Sequence, residues 1–231
     1  METAKQSLTR LNTNDIARTI VRDIANQTYR SGARITEAEV CSRLGISRTP
    51  VREAFRLLQS RGILLYSKSR GMTVATYDHT KMRRLCDLRC VLLVQAAREA
   101  VPVVTEDTLI RMEEINEELL HFDFEHGLRD GVHILDSAFH LLVAEASGNE
   151  LLYDFIQTTV DQLYIYCFLI PMRAERVAYT YEEHRNIIRS LREHNADRAA
   201  MYTELHFGIA GESLDKKWED YERLVQAGQQ R

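Results

Sequence analysis

Three histidines and one aspartate in the second half of the chain have side chains that bind metal ions. Asp136 and His140 lie four residues apart in the apolar stretch 132–144, so they share one face of a predicted, largely buried helix. His184 and His206 each lie on the apolar face of a further predicted helix. An isolated buried carboxylate is very costly, so Asp136 is expected to be paired or to coordinate a metal. Imidazole and carboxylate together suit Zn²⁺, Ni²⁺, Mn²⁺ or Fe²⁺ and predict a divalent metal site.

Two other interpretations of these histidines stay open at this point. A single histidine among apolar residues is more often a hydrogen-bonded member of the core than a metal ligand. A bound metal could also activate water in a metalloenzyme, although no nearby carboxylate is clearly placed as a general base. Four protein ligands suit sensing better than hydrolysis at an open site.

Arg89 is a further unusual residue, because it shares a helical face with apolar side chains such as Leu92 and Ala96. Two interpretations apply to it. It is either half of a structural ion pair with a buried acid or a clamp for the carboxylate of a bound effector. The planar guanidinium suits the second role, since its parallel N–H groups match a carboxylate.

The helices that position these residues follow a boundary near residue 76. Gly and Pro are rare there, and the periodicity predicts helices at about 79–101, 106–124, 129–147, 150–171, 175–194 and 197–225. Their short connections predict an antiparallel bundle of six to seven helices.

The first third of the chain has a different pattern. Apolar spacing predicts a helix over 14–29, and Thr36 with Glu39 forms a capping box for a short second helix. Ser47 is a suitable N-cap for a third helix. Two short strands joined by a basic turn follow within 63–75. This order predicts a winged helix-turn-helix.

The third helix separates an apolar stripe from a polar surface. Its polar side chains are Arg48, Thr49, Arg52 and Arg56. Arginines in the first turns of a recognition helix can reach guanine edges or the neighbouring phosphates. Arg70 and Gly71 lie at the tip of the predicted wing, where they are expected to approach the minor groove or the DNA backbone.

Composition and charge restrict the class of protein. Residues 1–76 contain 13 Lys and Arg against 6 Asp and Glu, whereas the remainder contains 17 against 28. A basic first third followed by an acidic remainder is typical of a protein that binds a polyanion at one end. No apolar run reaches the roughly 18–20 residues that span a bilayer, so we expect no membrane partner and a cytoplasmic location. The four cysteines form no CxxC pair and are expected to be free thiols.

The segments 44–54 (LGISRTPVREA) and 70–74 (RGMTV) resemble the GntR family of bacterial regulators. The resemblance implies that the matching arginines, the wing glycine and the adjacent Ser and Thr contact a double-stranded DNA operator. Ala38 departs from the family, which often has a basic residue early in the second helix, and Arg34 nearby is expected to substitute. The expected DNA-binding residues are Arg34, Ser47, Arg48, Thr49, Arg52, Arg56, Arg70 and Gly71.

The second half resembles the ligand-binding domain of the FadR subgroup within the GntR family. The matching segments are 136–140 (DSAFH), 146–149 (ASGN) and 184–188 (HRNII), with His206 after them. The resemblance thus covers nearly the whole chain. It implies that a divalent metal is bound, and that a small carboxylate completes the site. The implied metal ligands are Asp136, His140, His184 and His206.

Members of that subgroup also carry an arginine near the position of Arg89. A glutamate usually follows it four residues later, where this chain has Leu93. The missing acidic partner favours Arg89 as an effector-binding residue.

These observations predict a mainly α protein with two domains. Residues 1–76 form the DNA-binding winged helix-turn-helix, and residues 77–231 form an all-helical domain that binds an effector and dimerises. The expected function is transcription regulation, as a repressor controlled by a small organic acid at the metal site. A homodimer is expected because two half-sites multiply the limited discrimination of one recognition helix. The alternatives are a metalloenzyme and a regulator whose second domain only dimerises.

Overall fold

The computed structural model of the chain describes residues 12–26, 28–128, 130–170 and 172–229, with the side chains at 25, 168 and 224–229 outside the description. Backbone contacts divide the chain into two compact units, Met1–Asp78 and His79–Arg231. Within the described ranges, no helix is both long and apolar enough to cross a lipid bilayer.

The described part of the N-terminal unit contains three helices and an antiparallel two-stranded sheet. The elements are α1 (Thr13–Ala25), α2 (Glu37–Leu44), α3 (Arg48–Ser60), β1 (Leu64–Ser67) and β2 (Gly71–Val74). The strands pair from Leu64 with Val74 to Ser67 with Gly71. The predicted helix-turn-helix with a wing is therefore confirmed.

The turn between α2 and α3 follows from a few local residues. The Glu39 N–H donates to Thr36 Oγ1 at 3.2 Å, and the Thr36 N–H donates to Glu39 Oε2 at 2.9 Å, so the predicted capping box is present. Gly45 ends α2 with φ +67°, a left-handed conformation that favours glycine. The helix α3 then buries its apolar stripe, including Val51 and Phe55, and turns its arginines outward.

One detail of the N-terminal prediction was wrong, the end of the first helix. The helix α1 ends at Ala25 instead of residue 29, because the Asp23 carbonyl oxygen accepts the N–H groups of Thr28 at 2.8 Å and Tyr29 at 3.4 Å and closes a turn. Ser47 does precede α3 as its N-cap, but its side chain makes no capping hydrogen bond.

The C-terminal unit is a bundle of six described helices. They are α4 (His79–Ala100), α5 (Glu106–Leu120), α6 (Gly131–Ala146), α7 (Glu150–Leu169), α8 (Ala174–Arg192) and α9 (Ala196–Gln229). The helices α4 and α9 pack antiparallel, since Arg98 pairs with Asp197 and Arg83 with Asp215. The predicted fold class is confirmed.

The end of α5 differs from the prediction. The helix stops at Leu120 instead of 124, and the carboxylate of Asp123 accepts the N–H groups of Glu125 at 2.9 Å and His126 at 3.1 Å. This side chain offers the backbone an alternative to further helical hydrogen bonds.

Candidate metal centre and DNA-binding surface

The four predicted metal ligands meet inside the C-terminal bundle. Asp136 and His140 come from one face of α6, His184 from α8 and His206 from α9. All four are buried, and one donor atom of each lies within 4.8 Å of the others. Asp136 Oδ1 lies 3.6 Å from Nε2 of His184, 3.9 Å from Nε2 of His140 and 4.0 Å from Nε2 of His206. The cluster therefore presents three nitrogen donors and one oxygen donor to a common centre.

The orientation of His184 is fixed by its neighbours. Its Nδ1 lies 3.0 Å from Asn116 Oδ1, and the Asn116 amide nitrogen donates to the Tyr181 carbonyl at 3.0 Å. Because Asn116 Oδ1 is the acceptor, His184 Nδ1 donates and Nε2 keeps its lone pair. The Phe139 ring stacks on this imidazole with centroids 3.8 Å apart. In the described part of the chain, the buried Nε2 has no hydrogen-bond partner, which fits a metal ligand.

His206 is oriented by a carboxylate that belongs to α8. Its Nδ1 lies 2.7 Å from Glu183 Oε2, and Arg176 donates to both oxygens of Glu183 at 2.8 and 2.5 Å. Burial raises the pKa of Glu183, but the hydrogen bonds from His206 and Arg176 outweigh it and hold that pKa below its ordinary value. The ionised carboxylate accepts the Nδ1 proton, so the lone pair of His206 is on Nε2, which faces the centre and lies 3.0 Å from Nε2 of His140.

The protonation of the cluster also suits metal binding. Burial, followed by the charge of neighbouring imidazoles and of cations including Arg89, lowers the pKa values of His140 and His184 well below their ordinary value. Neutral imidazole is the form that coordinates metals. Three imidazole nitrogens and a carboxylate, in a bundle core with oriented donors, fit a divalent transition metal.

A cavity of about 70 Å³ lies beside the cluster, and its wall includes Arg89 and Asp136. The Arg89 side chain is 9% exposed, and its Nη2 lies 3.7 Å from Asp136 Oδ2, beyond hydrogen-bonding distance. Its guanidinium carbon lies 5.0 Å from the centre of the Phe207 ring. Among the residues described, Arg89 Nε and Nη2 have no hydrogen-bond partner. Asp136 thus faces Arg89 without satisfying it, which leaves two buried donors for a ligand.

The predicted DNA-binding residues of α3 lie on the surface of the N-terminal unit. The exposed ones are Ser47, Arg48, Thr49, Arg52 and Arg56. Arg52 has a partner that the sequence did not indicate, because its Nε lies 3.3 Å from Glu37 Oε1. An exposed ion pair of this kind contributes little to stability and can be exchanged for a phosphate.

The remaining predicted DNA-binding residues lie at the wing. Arg34 forms an isolated backbone bridge with Thr73 of β2, and its Nε lies 3.8 Å from where a Cβ on Gly71 would be. Gly71, which follows Arg70, has φ +75°, a left-handed conformation that favours glycine at this position. Arg34 and Arg70 are exposed. The structure therefore groups Arg34 with the wing, whereas Ala38 lies on α2.

Sequence reasoning missed the residues that support the cluster. Glu183 directly precedes His184, and its role depends on α9 bringing His206 to it. Asn116 is 1% exposed, a buried amide on an otherwise apolar face of α5, and this pattern is visible in the sequence. Arg176 and Lys217 give no local signal, because only the packed bundle brings them to the cavity wall.

A winged helix-turn-helix joined to a helical bundle that contains a cavity is the architecture of a DNA-binding transcription regulator. Residues 12–74 match the family described as bacterial regulatory proteins, gntR family, and residues 84–208 match the FCD domain. The chain therefore belongs to the GntR family, in the FadR-like subgroup that carries an FCD domain.

Relatives of the whole chain agree with this assignment. The chain is 27% identical to the HTH-type transcriptional regulator YdhC of Bacillus subtilis, over 83% of this chain and 85% of that protein. It is also 27% identical to the HTH-type transcriptional repressor RspR of Escherichia coli, over 86% and 87%. The solved structure of E. coli McbR/YncC has the same fold, with a TM-score of 0.71 at 18% identity over 89% of this chain and 98% of that one. The chain is a regulator and not a metalloenzyme.

Proposed function

We propose that the chain is a transcriptional repressor controlled by a small organic acid bound at a divalent metal. The ligands of this metal are Asp136, His140, His184 and His206. The observation that carries the proposal is the convergence of three Nε2 atoms within 4.0 Å of one carboxylate oxygen, with the buried Nε2 of His184 unpartnered in the described chain. A bound metal would supply coordination positions for a carboxylate oxygen. The repressor role is supported by the name of the relative RspR.

The two domains have separate tasks in this proposal. Residues 1–76 bind a near-palindromic operator as a homodimer, in which two recognition helices enter successive major grooves. Residues 77–231 bind the acid and form the dimer. A protein that binds chromosomal DNA works in the cytoplasm of a bacterium.

Arg89 is proposed to hold the carboxylate of the acid. It is buried beside the cluster, and two of its nitrogens lack partners among the described residues. A bidentate guanidinium–carboxylate contact would satisfy them. The acid weakens operator binding only to the extent that it binds more tightly to the state with low DNA affinity.

The test is the metal content of purified, tag-free protein, measured by elemental analysis. We expect about one transition metal per chain. His184→Ala is expected to lose the metal, whereas His121→Ala, at an exposed histidine after α5, keeps it. Circular dichroism establishes that both variants are folded. Metal-free wild-type protein that also refuses added Zn²⁺, Ni²⁺ and Mn²⁺ would contradict the metal site.

DNA binding is tested independently of the metal. Selection from random-sequence DNA identifies the operator, and Arg48→Ala is expected to abolish its specific binding while the fold is kept. If the histidine variants lower stability but leave every acid response unchanged, the second domain only dimerises.

A further inference from the structure

Lys217 adds a positive charge to the wall of the cavity beside the candidate metal centre, in addition to that of Arg89. It lies on α9 and lines the same cavity as Arg89, Asp136 and His206. Residues 206 and 217 are eleven positions apart, so their Cα atoms are about 16 Å apart along the helix axis. Side chains on a helix lean toward its N-terminus, and Lys217 therefore leans back toward His206.

The charges near the ammonium group of Lys217 are mainly positive. In the described part of the chain it makes no salt bridge or hydrogen bond, and it is half-buried. Burial, with the nearby charges of Arg173 and Arg176, lowers its pKa, while Glu175 opposes this shift. A half-buried cation with mainly cationic neighbours is stabilised by any anion that enters the cavity.

The charges around the cavity show an excess that one carboxylate does not balance. Three cations, Arg89, Arg176 and Lys217, line the wall. The carboxylates near them are Asp136, which belongs to the metal cluster, and Glu183, which Arg176 and His206 already share. Glu175 also acts on Lys217, but the opposite charge of Arg173 offsets it. One positive charge remains, and a divalent metal would raise the excess to three. A monocarboxylate at Arg89 would leave Lys217 unpaired.

The size of the cavity limits the length of the ligand. A buried water needs roughly 10–15 Å³ of such space, so a cavity of about 70 Å³ holds roughly five waters. Short acids are therefore the class to consider.

We propose that the effector is a short dicarboxylate, with one carboxylate against Arg89 at the metal centre and the other against Lys217. This inference rests on the proposed function, because it specifies the acid that the metal site binds. Arg89 and the metal alone accept any small carboxylate. Lys217 is thus the residue that selects a second acidic group.

The experiment is titration calorimetry of the metal-loaded full chain with malonate, succinate and glutarate, each compared with its mono-amide. The mono-amide keeps the length and one carboxylate but loses the second charge. We expect at least one dicarboxylate to bind roughly tenfold or more tightly than its mono-amide, which corresponds to one charge-assisted contact. Lys217→Met should remove this preference, so that each dicarboxylate and its mono-amide bind with similar affinity. Lys216→Met, at the exposed neighbouring position, should keep the preference.

The outcomes separate this inference from the proposed function. Equal affinity of wild type for dicarboxylates and mono-amides would overturn the dicarboxylate and leave the acid site standing. The dicarboxylate is likewise overturned, and the acid site left standing, if folded Lys217→Met still prefers a dicarboxylate to its mono-amide. If none of the six compounds binds to metal-loaded wild type, both the dicarboxylate and the acid-binding role of the metal site are overturned.

Discussion

Glu183 illustrates, at the scale of one residue, how the cluster depends on side chains that do not face its centre. Its carboxylate accepts the Nδ1 proton of His206 and is held by Arg176. Such a contact fixes the tautomer of a metal-binding histidine and raises its basicity.

Glu183→Gln is therefore expected to weaken metal binding by about 10- to 100-fold without unfolding the protein. Competition with a chromophoric chelator measures the affinity. The matched control is Glu182→Gln, which alters an exposed pair with Arg185 and should leave the affinity unchanged. Equal affinities of Glu183→Gln and wild type would show that the carboxylate does not support the metal site.

The histidines inside the bundle also predict a pH dependence for the metal-free protein. Burial lowers the pKa of His133 from 6.5 to about 4 and lowers those of His140 and His184 well below 6.5. The unfolded chain takes up these protons from about pH 6.5 downward, whereas the folded chain does not. The free energy of unfolding therefore has its full value above pH 6.5. At lower pH it decreases, by at most about 1.4 kcal/mol per pH unit for each histidine.

Urea unfolding of chelator-treated protein between about pH 7.5 and 5 measures this fall. His133 accepts the Met172 N–H at its Nε2 at 3.1 Å, outside the metal cluster. His133→Gln should give a shallower fall than wild type. If the two proteins lose stability equally with pH, His133 does not contribute.

The residues of the site were predictable to different degrees. Asp136 and His140 share a helical face by their spacing alone, and the resemblance joins His184 and His206 to them. Lys217 could not be predicted to approach the cluster, since it is an ordinary polar position until α9 packs along the bundle. Local periodicity shows which face is apolar, but the register between helices decides which polar groups meet.

At the scale of elements, the predicted helices and strands were confirmed, and the errors lie at helix ends. The ends at Ala25 and Leu120 are set by hydrogen bonds to the Asp23 carbonyl and the Asp123 carboxylate. Gly45 and the capping box of α2 gave clear signals because they depend on neighbouring residues only. Helix ends that depend on a competing turn are harder to predict from apolar spacing.

The outward face of α3 leads to a prediction about salt. Each phosphate contact that an arginine makes releases counterions, so Arg56→Gln should weaken binding to all DNA sequences and reduce the slope of log K against log salt by about one. Fluorescence anisotropy at several salt concentrations measures the slope. Arg84→Gln, an exposed arginine on α4, is the control and should keep it. An unchanged slope for Arg56→Gln would remove this residue from the DNA contacts.

At the scale of the whole molecule, the chain combines a basic N-terminal unit with an acidic helical unit that encloses the cavity. The positive charge of α3 and the wing is suited to DNA, whereas the buried cations of the second unit are suited to a small anion. If the acid changes the affinity for DNA, the affinities for the acid and for DNA are linked, whatever structural path connects the units.

This linkage gives a prediction that requires no knowledge of the path. If the acid lowers the affinity for the operator by some factor, saturating operator must lower the affinity for the acid by the same factor. Titration calorimetry with the acid, in the absence and presence of operator DNA, measures one factor, and anisotropy with labelled operator measures the other. His184→Ala should lose both effects together, because the acid has no metal to bind. If an acid changes the affinity for the operator, but saturating operator does not change the affinity for the acid, the acid does not act through this site.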